Sequence, residues 1–292
     1  MGNPTEADFA YEAGSAAPPP YAATETSARS DAPAPSYQAV PGGSSSSGIS
    51  GVTNKIPQSL NAYFPPLTKW SRMMYLGEHA DQPFFAVTTH TGLSGKPLLE
   101  MHAGPTGSEP IIATAGSESR WSSGRTTIVK LIPGGGYLSD SAASGETTTT
   151  FTMKETCFKK HVTYPFSVEV GLGKDVRVEH FEWRSSRGEE VKALDSASWR
   201  GFKLVRLGSE SLGPGGERAT RSAGASSDGK EVVAVYTANG HFSRNKVFKF
   251  QFLESGATGV LGEKFALAAV ITASKIGFVE FIVTQSTAGA GA

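Results

Sequence analysis

The chain has 292 residues, is 38% hydrophobic and 18% charged, and balances 27 basic against 27 acidic residues for a formal net charge of zero. That length fits one large domain or two small ones, and the charge gives no electrostatic basis for bulk nucleic-acid binding. The single cysteine, Cys157, excludes an intramolecular disulfide, and no Asn-x-Ser/Thr acceptor with x other than proline occurs, so a cytoplasmic protein is expected.

The N-terminus, MGNPTE, lacks the basic and apolar regions of a signal peptide. A myristoylation motif needs Ser or Thr where Glu6 stands. Residues 1 to 55 are rich in Ala, Pro, Ser, Gly and Thr and almost empty of Ile, Leu and Val. Such a segment buries too little apolar area to offset its ordering entropy, so a disordered tail is expected. It contains PPPY, formed by Pro18, Pro19, Pro20 and Tyr21. PPxY segments are preformed in polyproline II and dock on the aromatic grooves of WW domains, which makes a WW-domain protein an expected partner.

From Ile56 the texture changes to short alternating runs separated by Gly, Pro, Ser and Asn. Strands are predicted at 72–78, 83–89, 97–103, 110–115, 125–132, 147–155, 161–170, 176–183, 201–208, 231–237 and 246–254. In KVFKFQFL, Phe248, Phe250 and Phe252 share one face, opposite Val247, Lys249 and Gln251. In VRVEHF, Val176, Val178 and His180 oppose Arg177, Glu179 and Phe181. Gly-rich stretches at 92–95, 134–136 and 171–173 mark connections, and the low-complexity run at about 209–229 reads as a mobile loop. So many strands with no convincing helix among them are expected to close into a barrel or to pack as two sheets.

The most apolar segment is GEKFALAAVITASKIGFVEFIVTQ, Gly262 to Gln285. Lys264, Lys275 and Glu280 interrupt it as a membrane span. Between Phe265 and Ala273 apolar residues point in every direction, which leaves no polar face for a surface helix. A helix apolar all round belongs in a core, so a central helix is predicted over about 263–274. Gly277 is expected to break it, with a final strand over 276–284 and a disordered end at 286–292.

The expected fold is therefore all-β dominated: a closed antiparallel barrel of about twelve strands, residues 56–285, around one buried C-terminal apolar helix. This order of elements, with the string KFALAAVITASKIGFVEF, resembles the tubby C-terminal-like superfamily, which includes tubby proteins, plant LURP-one-related proteins and phospholipid scramblases. A Pro-rich tail with PPxY ahead of the barrel is also similar to scramblases. The resemblance implies a non-enzymatic module that binds phosphoinositide or another anionic phospholipid, peripheral at a membrane. Its alternatives are scramblase-like lipid transport and a protein-interaction scaffold. The chain departs from scramblases in lacking a calcium-binding acidic loop and a cysteine-rich segment.

No catalytic, metal or cofactor signature is found. The six histidines are scattered, none forms an i, i+4 pair, and Cys157 has no partner cysteine. GLGKD at 171–175 lacks the third glycine of a dinucleotide site and reads as a hairpin turn, while TASK at 272–275 has Thr where S-x-x-K needs Ser. The remaining signal is basic. Residues 199–206 interleave Trp199 and Phe202 with Arg200, Lys203 and Arg206, and residues 243–249 carry Arg244, Lys246 and Lys249. Converging at one end of a barrel, these six cations are the expected head-group site, since anionic-lipid attraction is worth about 1 kcal/mol per basic residue.

Overall fold

The computed structural model describes residues 55–65, 72–91, 94–117, 125–138, 147–158, 161–195, 200–210, 224–238 and 245–289. The PPPY motif, Arg244 and most of the Gly-rich run at 209–229 lie outside them.

All eleven predicted strands before the apolar segment form, with two more. The strands are β1 (Ser59–Tyr63), β2 (Met73–His79), β3 (Gln82–Thr89), β4 (Leu99–His102), β5 (Ile111–Ser117) and β6 (Thr126–Leu131). They continue with β7 (Thr149–Lys154), β8 (Thr156–Phe158), β9 (His161–Val170), β10 (Arg177–Ser186), β11 (Gly201–Arg206), β12 (Val232–Ala238) and β13 (Lys246–Phe252). Among the described residues three helices accompany them: α1 (Glu189–Leu194), α2 (Glu254–Ala257) and α3 (Gly262–Gly289).

The strands make one antiparallel sheet in the order β7-β6-β5-β4-β3-β2-β1-β13-β12-β11-β10-β9-β8, which curls into a nearly closed barrel. Barrel width grows with strand number, and eight strands are already filled by their own side chains. Thirteen leave a lumen, and α3 occupies it. Every residue from Phe265 to Phe278 is buried. Four of these are alanines, Ala266, Ala268, Ala269 and Ala273, so the surrounding aromatic rings reach close to the helix axis. Phe265 packs at 4.9 Å from the Phe181 ring and 6.2 Å from Phe252. The Trp183 indole N–H donates to the Thr272 hydroxyl at 3.0 Å, which satisfies both groups inside the core.

The helix corrects several expectations. It does not stop at Ser274, residues 276–284 are helical rather than a twelfth strand, and residues 286–289, expected to belong to a disordered end, are its last turn. Gly277 is no breaker. A Cβ there would stand 2.6 Å from the Phe248 ring, so the missing side chain lets α3 cross β13 at close range. At about 1.5 Å per residue the helix spans roughly 42 Å, longer than a tilted barrel wall is tall. Its last turns leave the lumen, where Ile282 and Val283 are exposed. By length and composition the stretch Gly262–Thr284 would cross a bilayer, yet 72% of its apolar window is buried inside the barrel.

Two ends of the barrel can thus be distinguished. At the proximal end α3 begins. There Gly262, at φ +81°, lies so near β9 that a Cβ would meet the Gly171 carbonyl oxygen at 2.7 Å. The turn after β6 closes over this end: Leu138 is buried, and its N–H donates to Glu263 Oε2 at 2.7 Å. At the distal end α3 leaves between Phe64, Tyr236 and Arg200.

Candidate functional site

The predicted cations do not converge. The pairing register distributes the described ones over the height of the barrel. Arg206 lies at the proximal end. Lys203 and Lys249 lie midway, on the outer wall beneath α1. Arg200 and Lys246 lie at the distal end.

Carboxylates engage four of these cations. Arg206 donates two bonds to Glu179, Nε to Oε2 at 2.6 Å and Nη2 to Oε1 at 2.8 Å, and its Nη1 reaches Glu231 Oε2 at 3.2 Å. Lys203 is buried with Nζ 3.4 Å from Glu190 Oε1. Gly201 lets α1 settle on β11 against Val191, and this brings Glu190 over Lys203. Lys249 Nζ lies 3.0 Å from Asp195 Oδ2 at the end of α1. Arg200 Nη2 lies 3.1 Å from Glu280 Oε1. Lys246 sits over the Tyr63 ring, its ammonium pKa lowered by burial and then by neighbouring Lys249. Around the distal end, burial raises the Glu280 carboxyl, and burial with the nearby Glu280 charge raises the Tyr236 hydroxyl that bonds to it at 3.0 Å. The expected head-group cluster is thus dispersed: carboxylates engage four of its cations, and the pairs of Lys203, Lys249 and Arg200 fasten α1 and α3 to the wall.

The geometry shows a different opening. The chain of β7 and β8 is shared between two neighbours. Residues 149–154 pair with β6, and after Glu155 residues 156–158 pair with the start of β9. Below Glu155 the barrel is closed by this ladder. Above it β7 runs beside residues 164–170 of β9 with no ladder between them. The result is a slit in the wall that extends toward the proximal end. Pro165 lies on this edge of β9, where a residue without an N–H costs no ladder bond.

A cavity of about 440 Å³ opens to solvent over the slit. Its floor is formed by Phe151, Phe166 and Phe181, stacked at 5.4 Å and 5.8 Å between successive rings. Lys154, Thr152, Ser167 and His180 supply its polar rim, with Pro165 and Leu207 between them. The Ser167 hydroxyl and His180 Nδ1 are 2.7 Å apart. Four phenyl faces in a row, counting Phe265, connect this floor to α3. Beneath the distal end of the slit, buried Lys275 of α3 sits over the Tyr164 ring, and burial lowers its ammonium pKa. A cationic and hydroxyl rim above an aromatic floor can hold an amphiphile with an anionic head.

Two further histidines make local contacts. His102 is buried between the Thr88 hydroxyl at 2.9 Å and the Glu109 carbonyl at 2.8 Å, and His90 contacts Glu100 at 2.9 Å. No group of three metal-ligating side chains that could hold an ion occurs among the described residues. GLGKD forms the β9–β10 turn, closed by Asp175 N–H to the Leu172 carbonyl.

One further ion pair has a measurable pH signature. Arg184 Nη1 reaches Asp228 Oδ1 at 2.8 Å. Burial pushes the Asp228 carboxyl up, but hydrogen bonds from Arg184 and Ser226 outweigh it and hold the group at about 2, below its ordinary 3.8. A depressed folded-state value means that the contribution is complete above the unfolded value and is lost as pH falls toward the folded one. Between pH 5 and pH 2, the melting temperature of the wild type is expected to fall more than that of Asp228→Asn. Parallel curves in thermal denaturation would show that the pair contributes nothing. Asp228 is half exposed, so solvent screening keeps the difference small.

Compared with known proteins, the chain matches no protein-family model, no curated protein and no solved structure.

Proposed function

We propose that the chain is a non-enzymatic binding module, cytoplasmic and peripheral at a membrane, that takes an anionic phospholipid on its outer wall at the slit between β7 and β9. The observation that carries this reading is the cavity over the slit, where Lys154 and His180 stand above the stacked floor of Phe151, Phe166 and Phe181. The lumen is taken up by α3, so a ligand meets the barrel from outside. The helix-threaded barrel supports, at the level of architecture, a divergent relationship to tubby-like proteins. The PPPY segment adds the proposal that a WW-domain protein is recruited by the tail.

The test is co-sedimentation of the full chain with phosphatidylcholine vesicles, with and without a few per cent phosphatidylinositol bisphosphate, at two salt concentrations. Binding is expected only to the charged vesicles and should weaken with salt. Lys154→Ala should reduce partitioning about fivefold, the effect of roughly 1 kcal/mol, while Lys249→Ala, whose cation is engaged by Asp195, should change it little. Equal loss in both variants would return the site to the basic clusters. No binding to either vesicle would refute the lipid reading and favour a protein-interaction role centred on the tail.

A further inference from the structure

Seven large hydrophobic side chains are exposed among the described residues, and four of them lie at the proximal end. Leu172 and Val176 flank the β9–β10 turn at 44% and 49% exposure. Val178 follows on the outer face of β10 at 62%. Val260, at 55%, comes from the segment leading into α3. Val260 is brought to the turn by main-chain contacts: Gly171 N–H donates to the Leu261 carbonyl at 3.1 Å, beside the close approach of Gly262. The group is an exposed aliphatic knob fixed to the core helix.

We infer that this knob is a membrane-docking wedge, which inserts into the interface of a lipid bilayer and sets the barrel down on its proximal end. Three observations favour a bilayer as the occupant. First, its side chains are aliphatic, exposed and drawn from separate chain positions, so each can sink independently among lipid tails. Second, the charges around it are compensated. Lys264 pairs with Glu169 and Arg177 with Glu179, and the turn itself carries only Lys174 and Asp175, of opposite sign. Insertion would bury no excess charge, and Lys174 can extend its ammonium back to water. Third, the free edge of β9 runs from the cavity through Val168 and Val170 directly into Gly171 and Leu172, and Val178 of the knob is two residues from His180 on the same outer face of β10. A bilayer touching the knob therefore faces the proximal opening of the slit. Only this third argument rests on the phospholipid reading above.

Cys157 makes the test direct. It is the only cysteine, it is exposed, and it lies on β8 at the distal end. An environment-sensitive fluorophore is attached in the full chain either to Cys157 or to a cysteine at position 176, Val176→Cys with Cys157→Ser. Both proteins are mixed with phosphatidylcholine vesicles, alone or with about one-fifth phosphatidylserine. Label at 176 should brighten severalfold, shift to the blue and be quenched by spin-labelled lipid tails, while label at Cys157 stays unchanged. Leu172→Asn with Val260→Asn, both at exposed sites, should lower vesicle partitioning by about tenfold or more. Sedimentation with vesicles while the 176 label remains silent would overturn the wedge and leave the head-group reading standing. A full response at 176 with phosphatidylcholine alone, unaffected by Lys154→Ala, would support the wedge and overturn the anionic head-group reading. A 176 signal that grows with protein concentration in the absence of vesicles would overturn the wedge in favour of a second copy.

Discussion

Ala269→Asp is expected to abolish the folded barrel. Ala269 is fully buried on α3, midway along the lumen, with strands on every side. A carboxylate there loses its hydration and finds neither a cation nor water, and the penalty for an unpaired buried charge is several kcal/mol. The side chain also adds volume where close-packed aromatic rings leave none, a further cost of about 1–3 kcal/mol. Together these approach the whole stability of an ordinary domain, about 5–15 kcal/mol. The variant should therefore be insoluble or lack a cooperative transition in circular dichroism. Val283→Asp, on the same helix but past the distal end, is 57% exposed in the native chain and should stay within about 0.5 kcal/mol of wild type. The contrast is the informative result. A helix lying on the surface would tolerate both substitutions, and α3 in the lumen predicts tolerance only beyond Glu280.

The same contrast explains how much of the fold could be read from sequence. Strands were legible wherever one face was apolar and the other polar, as in Phe248, Phe250 and Phe252 against Lys249 and Gln251. β1 was missed because its inward residues are only Leu60 and Ala62, too few to make a period-two signal. Yet it joins β13 to β2 and completes the sheet. β8 is three residues long, and its existence depends on which neighbour the chain reaches after Glu155. The burial of α3 followed from its all-round apolarity, but its length did not. A helix surrounded by protein has no polar face to keep time with. Gly277 then looked like an end, since its packing partner Phe248 is remote in sequence.

The site was less legible than the fold, for a related reason. Basic clusters are visible along the chain, but the acids that compensate them are not beside them. Glu280 comes to Arg200 from α3, and Asp195 to Lys249 from the end of α1. The slit left one trace, Pro165 in the middle of an otherwise regular strand pattern, which is an edge signal. Its cavity needs β7, β9 and β10 side by side, and no local window contains all three.

Arg206→Met should destabilise the domain by about 3 kcal/mol, the low end of the cost of removing one partner from a buried ion pair. Glu179 and Glu231 are each about nine-tenths buried and both depend on this guanidinium. The loss stays at the low end because Arg177 remains on Glu179 and the Ser255 N–H on Glu231. Urea unfolding should show the loss at pH 7, and Glu179→Gln in the Arg206→Met background should recover part of it by removing the stranded charge. The pH response should separate the two proteins. In the wild type, hydrogen bonds from Arg206 are the largest influence on Glu179 and hold its carboxyl below the ordinary 4.5. That contribution is complete above 4.5 and is lost as pH falls below it. Without Arg206 the main opposing influence is burial, which raises the carboxyl, so acidification from neutral pH should cost Arg206→Met less stability than it costs the wild type. Equal slopes for both proteins would mean that Arg206 does not hold Glu179 ionised. The pair also fixes β10 beside the β9–β10 turn. If the knob docks on bilayers as a rigid unit, Arg206→Met should weaken vesicle binding at temperatures well below its own transition. Full vesicle affinity in a folded but weakened Arg206→Met protein would show that the turn needs no support from this ion pair, and that Gly171 and Leu261 are enough to hold it.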